Sequence, residues 1–120
     1  MKKSMLLANI GLVLAAGLFA AHVSAMDFVE AAPKQTKVLV DNDKVRVIHV
    51  TFKKGDKIPM HTHPDIVVYV IKGGKIKFTN ADGKVVESNL KAGEVNYRPA
   101  VTHSHEHPEG GEAIVIELKK

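Results

Sequence analysis

GDKIPMHTHPDIVVYVIKGG, residues 55–74, decides how this chain is read. It opens with a glycine turn, places His61 and His63 with one residue between them, and continues as a nearly unbroken apolar run to Gly73 and Gly74. Side chains two apart in an extended strand point the same way, so both imidazoles aim at one spot. Pro64 reinforces this: it restricts His63 to an extended conformation and supplies no N–H beyond it, which keeps the pair at a strand end rather than in a helix. Two imidazoles on one face are half of a metal site. The remaining ligand is expected from a neighbouring strand, and HSHEH at residues 103–107 is the available donor.

Outward from this stretch the chain alternates β-rich runs with turn signals. Residues 37–40 and 45–52 are rich in β-branched side chains around Asp41, Asn42 and Asp43, and further turns are marked at Gly55, Gly73, Gly83, Gly93 and Gly110. Punctuation at intervals of about ten residues predicts an all-β sandwich or barrel. No sustained helical period, internal repeat or low-complexity tract appears after residue 25.

The first 25 residues read as an address. Lys2 and Lys3 precede an apolar segment, and Val23, Ser24 and Ala25 form a small-residue cleavage pattern, which predicts a secretory signal peptide over residues 1–25. The apolar run is short of the roughly 20 residues a spanning helix needs. The expected location is across the inner membrane, periplasmic if the source is Gram-negative, with no membrane association after removal. Residues 26–36 read as a flexible leader containing Pro33, and residues 37–120 as one domain. Two of the 17 basic residues lie in the signal, leaving 15 against 13 acidic ones, close to neutral. With no basic stripe interleaved with aromatics, nucleic-acid binding is not expected. There is no cysteine, so a metal must be held by nitrogen and oxygen.

Gly55, His61, His63 and Gly73 or Gly74 resemble the first motif of the cupin superfamily, G-x5-H-x-H-x3,4-E-x6-G. Gly93, Pro99 and His103 resemble the second, G-x5-P-x-G-x2-H-x3-N. The resemblance covers nearly all of the chain after the signal and implies a small double-stranded β-helix, the cupin or jelly-roll barrel. It departs from the pattern at three places. The family's glutamate ligand should fall near Ile66 or Val67, Val101 stands in place of a glycine, and His103 comes one residue early, with His107 where the asparagine is usual. The resemblance therefore implies a three-histidine site from His61, His63 and His103 without the acidic ligand. Imidazole donors suit zinc, iron, manganese, nickel, cobalt or copper, and disfavour calcium and magnesium.

His103, His105 and His107 share a face in an extended strand, but each two-residue step advances about 6.6 Å, so all three cannot reach one ion. His107 and His105 read either as a fourth ligand or proton shuttle, or as rim and surface residues. Tyr97 and Arg98 are candidates for the pocket rim, where Arg98 would hold an anion by a two-pronged hydrogen bond, the alternative being a solvated arginine. Residues 66–71 read as a buried central strand, Phe52, Tyr69 and Phe78 as packing, and His49 as a sheet-face residue. Three functions are carried forward. They are a small metalloenzyme of dioxygenase, lyase or isomerase type acting on a small molecule, a non-enzymatic metal- or metabolite-binding barrel, and an interaction module. A homodimer through an edge strand is compatible with each.

Overall fold

The computed structural model describes residues 26–120, so the signal-peptide reading lies outside the described residues. Ten strands and one short helix follow in chain order. They are β1 (Met26–Asp27), α1 (Phe28–Ala31), β2 (Thr36–Asp41), β3 (Val45–Phe52), β4 (Asp56–His63), β5 (Ile66–Lys72), β6 (Gly74–Asn80), β7 (Val85–Leu90), β8 (Val95–Arg98), β9 (Val101–His107) and β10 (Gly111–Leu118). They form two five-stranded sheets, ordered β1-β4-β9-β6-β7 and β2-β3-β10-β5-β8. Every pairing is antiparallel except β1 with β4. Among the described residues no helix is long and apolar enough to cross a membrane.

The alternation in the sequence becomes the inside and outside of the barrel. Ile48 and Val50 on β3, Ile66, Val68 and Val70 on β5, and Val115 on β10 are buried, and their strand neighbours turn away. The strand at residues 66–71 is therefore one-sided rather than buried throughout: Tyr69 and Ile71 are exposed, because β5 has solvent on its outer face. Phe52 and Phe78 do face inward.

The turns fall where glycine is expected, and at two of them the reason is visible. Gly110 has φ +77°, and a Cβ there would meet the Phe52 carbonyl oxygen at 2.7 Å. A Cβ on Gly73 would collide with the Leu90 carbonyl oxygen, so the β5–β6 corner closes only around glycine.

The segment 26–36, expected as a flexible leader, is built into the barrel. Met26 and Asp27 pair in parallel with His61 and Thr62. The Asp27 carboxylate accepts from the Val29 N–H at 3.1 Å and caps α1. Phe28, only 2 % exposed, joins the core with Ala32. The mixed composition of the segment hid this, because the anchorage comes from particular residues, the Phe28 ring and the Asp27 carboxylate among them.

Candidate metal centre

β4 and β9 are adjacent, and their register sets His61 directly opposite His103. The expected triad, His61, His63 and His103, is buried as a group. The rings of His63, His103 and His105 surround that of His61, with centroids 4.8, 5.0 and 4.9 Å from it. The ligand atoms of His61, His103 and His105 all lie within 4.8 Å of one another. His105, one of the two histidines with a surface alternative, is thus inside and converges on the site. His107 is also buried, stacked 3.6 Å from Phe52, and its Nε2 lies 2.7 Å from His105 Nδ1.

Hydrogen bonding fixes the tautomers of the two β4 histidines. A register shift between Ile58 and His61 makes room for Pro59, whose ring supplies no ladder donor. The Pro59 carbonyl accepts from His61 Nδ1 at 2.7 Å. A carbonyl oxygen only accepts, so His61 carries its proton on Nδ1 and a lone pair on Nε2. His63 is held from the other side, by Glu117 Oε2 at 3.2 Å from Nδ1. Burial pushes the Glu117 carboxyl up, but hydrogen bonds from His63 and Arg46 outweigh it and hold the group below its usual range. An ionised carboxylate also only accepts, so His63 carries a proton on Nδ1 and turns Nε2 toward His61.

These two Nε2 atoms face each other 3.1 Å apart. Where both rings are neutral in these tautomers two lone pairs meet here, and either a proton or a metal ion between the nitrogens relieves their repulsion. The spacing suits a metal ion. Nitrogens about 2.05 Å from a common ion lie about 2.9 Å apart at a right angle and about 3.3 Å apart at the tetrahedral angle. His61, His103 and His105 form a group that could hold a divalent transition metal, and His63 stands outside that group with its Nε2 3.1 Å from that of His61.

Behind the ligands runs a charge network that the motifs do not announce. Glu117, 3 % exposed, accepts from Arg46 Nε at 2.6 Å, and Arg46 also reaches Asp27 at 2.6 Å. At the expected glutamate position, Ile66 is buried and Val67 half-buried, and the buried carboxylate comes from β10 instead. A signal was available: Ala113, Val115 and Glu117 share one face of a strand, so Glu117 is a charge on an otherwise apolar inward row.

Burial pushes His61 down to about 4, His103 to about 3 and His107 to about 4, and His105 well below its ordinary value. In the unfolded chain these groups titrate near about 6.5. Between pH 4 and 6.5 the unfolded state therefore binds more protons, and stability rises with pH across that window. The metal-free protein is expected to keep this contribution above pH 6.5 and to lose several kcal/mol on acidification towards pH 4, each tenfold difference in proton affinity being worth about 1.4 kcal/mol. Urea midpoints measured at half-unit pH intervals check this, and a flat profile there would contradict the burial of these rings.

The chain matches no protein-family model, and no curated protein matches it. Solved structures do. A cupin domain from Bordetella pertussis Tohama I superposes with a TM-score of 0.66 at 29 % identity, over 71 % of this chain and 92 % of that one. An RmlC-like cupin from Shewanella frigidimarina gives 0.54 at 28 %, covering 71 % and 75 %. An RmlC-like protein with a double-stranded β-helix fold from Methanocaldococcus jannaschii gives 0.57 at 20 %, covering 82 % and 92 %. This is a cupin fold. The all-β barrel expected from the two motifs is the barrel observed, and its histidines project between the two sheets.

The cupin barrel also separates the two rim candidates. Residues 97 and 98 alternate across β8, so they face opposite ways. Tyr97 is 60 % exposed and donates its hydroxyl hydrogen bond to Asp65 at 3.1 Å, which places it outside the cavity. Arg98 lines the cavity, with its guanidinium carbon 4.7 Å from the centroid of Phe78. His49 lies on the sheet face as expected, 2.7 Å from Glu112.

Proposed function

We propose that this protein is an exported, mononuclear metal-binding cupin that acts on a small organic molecule in the apolar cavity beside its histidines. The observation that carries this reading is the buried group of His61, His103 and His105, with the His63 Nε2 3.1 Å from that of His61. His61, His63 and His103 would hold the ion, with His105 as the fourth donor in place of the family's glutamate. When bound, a divalent ion in a neutral shell supplies Lewis acidity to an oxygen-bearing ligand. The chain's own contributions are positional. Pro59 and Glu117 orient two imidazoles, Phe28 and Phe78 exclude water from one side of the rings, and His107 can pass a proton to or from His105 across 2.7 Å.

A second reading, capture of a metal or metabolite without turnover, is favoured by one observation: among the described residues neither a carboxylate nor a tyrosine lines the cavity. General acid or base work would then fall to histidine alone. Export rests on the signal-like residues 1–25. Homodimerisation is supported by edge strand β2, where Val38, Leu39 and Val40 are all exposed.

The test is elemental analysis of protein purified without a histidine tag or chelator. One transition-metal ion per chain is the expected result. No ion after incubation with zinc, iron, manganese, nickel, cobalt and copper in turn would remove the metal from the proposal.

A further inference from the structure

The cavity beside the histidines has a volume of about 70 Å³, room for roughly five water-sized groups at about 10–15 Å³ each. Its walls are apolar except for the histidines and one charged group, Arg98. That guanidinium is half-buried at the end of edge strand β8, opposite Ile66 of β5. Among the described residues no carboxylate forms an ion pair with it, and no oxygen accepts a hydrogen bond from it. Its contact is the face of Phe78, on which the His103 ring also stacks, 5.1 Å between centroids. Burying a cation without a partner is costly, and the group responds: burial lowers the Arg98 pKa, against a smaller opposite effect of Glu94.

Arg98, Phe78 and His103 also line a second, more open cleft of about 430 Å³. The guanidinium therefore borders both the cleft and the cavity. A ligand arriving through the cleft meets a planar cation first and an apolar chamber beside the histidines next. Among the described residues no acidic side chain lines either space, so none of them repels an anion there.

We propose that the cavity is a subsite for a small organic monocarboxylate, with the carboxylate paired to Arg98 in a two-pronged contact and a short apolar body lying against Phe78 and the histidines. This rests on the reading of the cavity as the ligand site, but not on the ion being present. The carboxylate plane matches the guanidinium fork, which a point-like cation would not reproduce.

The experiment is a calorimetric titration of the protein with propionate and with propionamide, metal-free and zinc-loaded, on wild type and Arg98→Gln, with metal content measured on each sample. Propionate is expected to bind at least about tenfold tighter than propionamide, and Arg98→Gln to weaken propionate by on the order of tenfold or more while leaving propionamide unchanged. Equal binding of acid and amide by the wild type overturns the proposal, and this comparison needs no variant to fold. No propionate binding at tens of millimolar overturns it as well. A zinc-loaded protein that binds propionate equally with and without Arg98 places the carboxylate on the ion and overturns it too. A protein that takes up no metal but still prefers acid to amide through Arg98 upholds the subsite while the metal reading fails.

Discussion

Replacing His61 is expected to empty the metal centre. His61 is fully buried, its ring lies close to three other imidazoles, and it belongs both to the close pair with His63 and to the group with His103 and His105. His61→Phe keeps ring volume against Phe28 while removing both nitrogens, so it separates loss of a ligand from loss of packing. The metal content of the purified variant should fall from one per chain to below about a tenth. The ion's contribution to stability should vanish with it, about 2.7 kcal/mol at a free-metal concentration a hundredfold above the dissociation constant. Thermal melts with and without added metal measure the second effect, and in the variant the two curves should coincide. His49→Phe is the control, since His49 is part-exposed on the sheet face and bonded to Glu112. Full metal retention in His61→Phe would show that the close pair of nitrogens is not the site.

The other large effect is expected at Glu117. Its carboxylate is buried between His63 and Arg46, and truncation to alanine leaves the Arg46 guanidinium with Asp27 alone, in a place water reaches poorly. Removing one partner of a buried pair typically costs about 3–5 kcal/mol. Glu117→Ala is accordingly expected to lose about 3 kcal/mol in urea denaturation, and to weaken metal binding by about 10–100-fold because His63 is no longer held in its tautomer. Glu117→Gln should recover much of the stability and less of the affinity, since an amide fills the space but cannot satisfy both Arg46 and His63 as an anion does. Asp27→Ala, at the more exposed end of the network, should cost less than about 1 kcal/mol through the ion pair itself. Equal stability losses at Asp27 and Glu117 would mean that burial does not grade this network.

Much of this was legible in the residues, for definable reasons. The spacing of Gly55, His61 and His63 states a turn and a strand end, and strand alternation then dictates where both imidazoles point. His103 opposite His61 follows once the barrel is known, because the two motifs lie on adjacent strands. What the sequence concealed is what depends on partners far along the chain. Glu117 takes its meaning from Arg46 and His63, 71 and 54 positions away. The convergence of His105 was obscured by a correct rule applied too strictly. Steps along a strand do separate Cα atoms, but the His103 and His105 rings lean to 5.4 Å between centroids. The flexible-leader reading fails because composition averages over residues, whereas anchorage here comes from Phe28 and Asp27 in particular.

That anchorage bears on how long the site stays closed. Met26 and Asp27 form a two-residue strand followed by a single helical turn, yet Phe28 packs its ring 4.6 and 4.9 Å from the ring centroids of His63 and His61. Short elements held by few contacts open at free energies well below that of global unfolding. The other nine described strands can stay paired while residues 26–31 lift away and bare the β4 histidines to water. Whatever is held there then has a residence time governed by the detachment of six residues as well as by the strength of its own bonds. Deuterium uptake at the amides of this segment would time that motion directly.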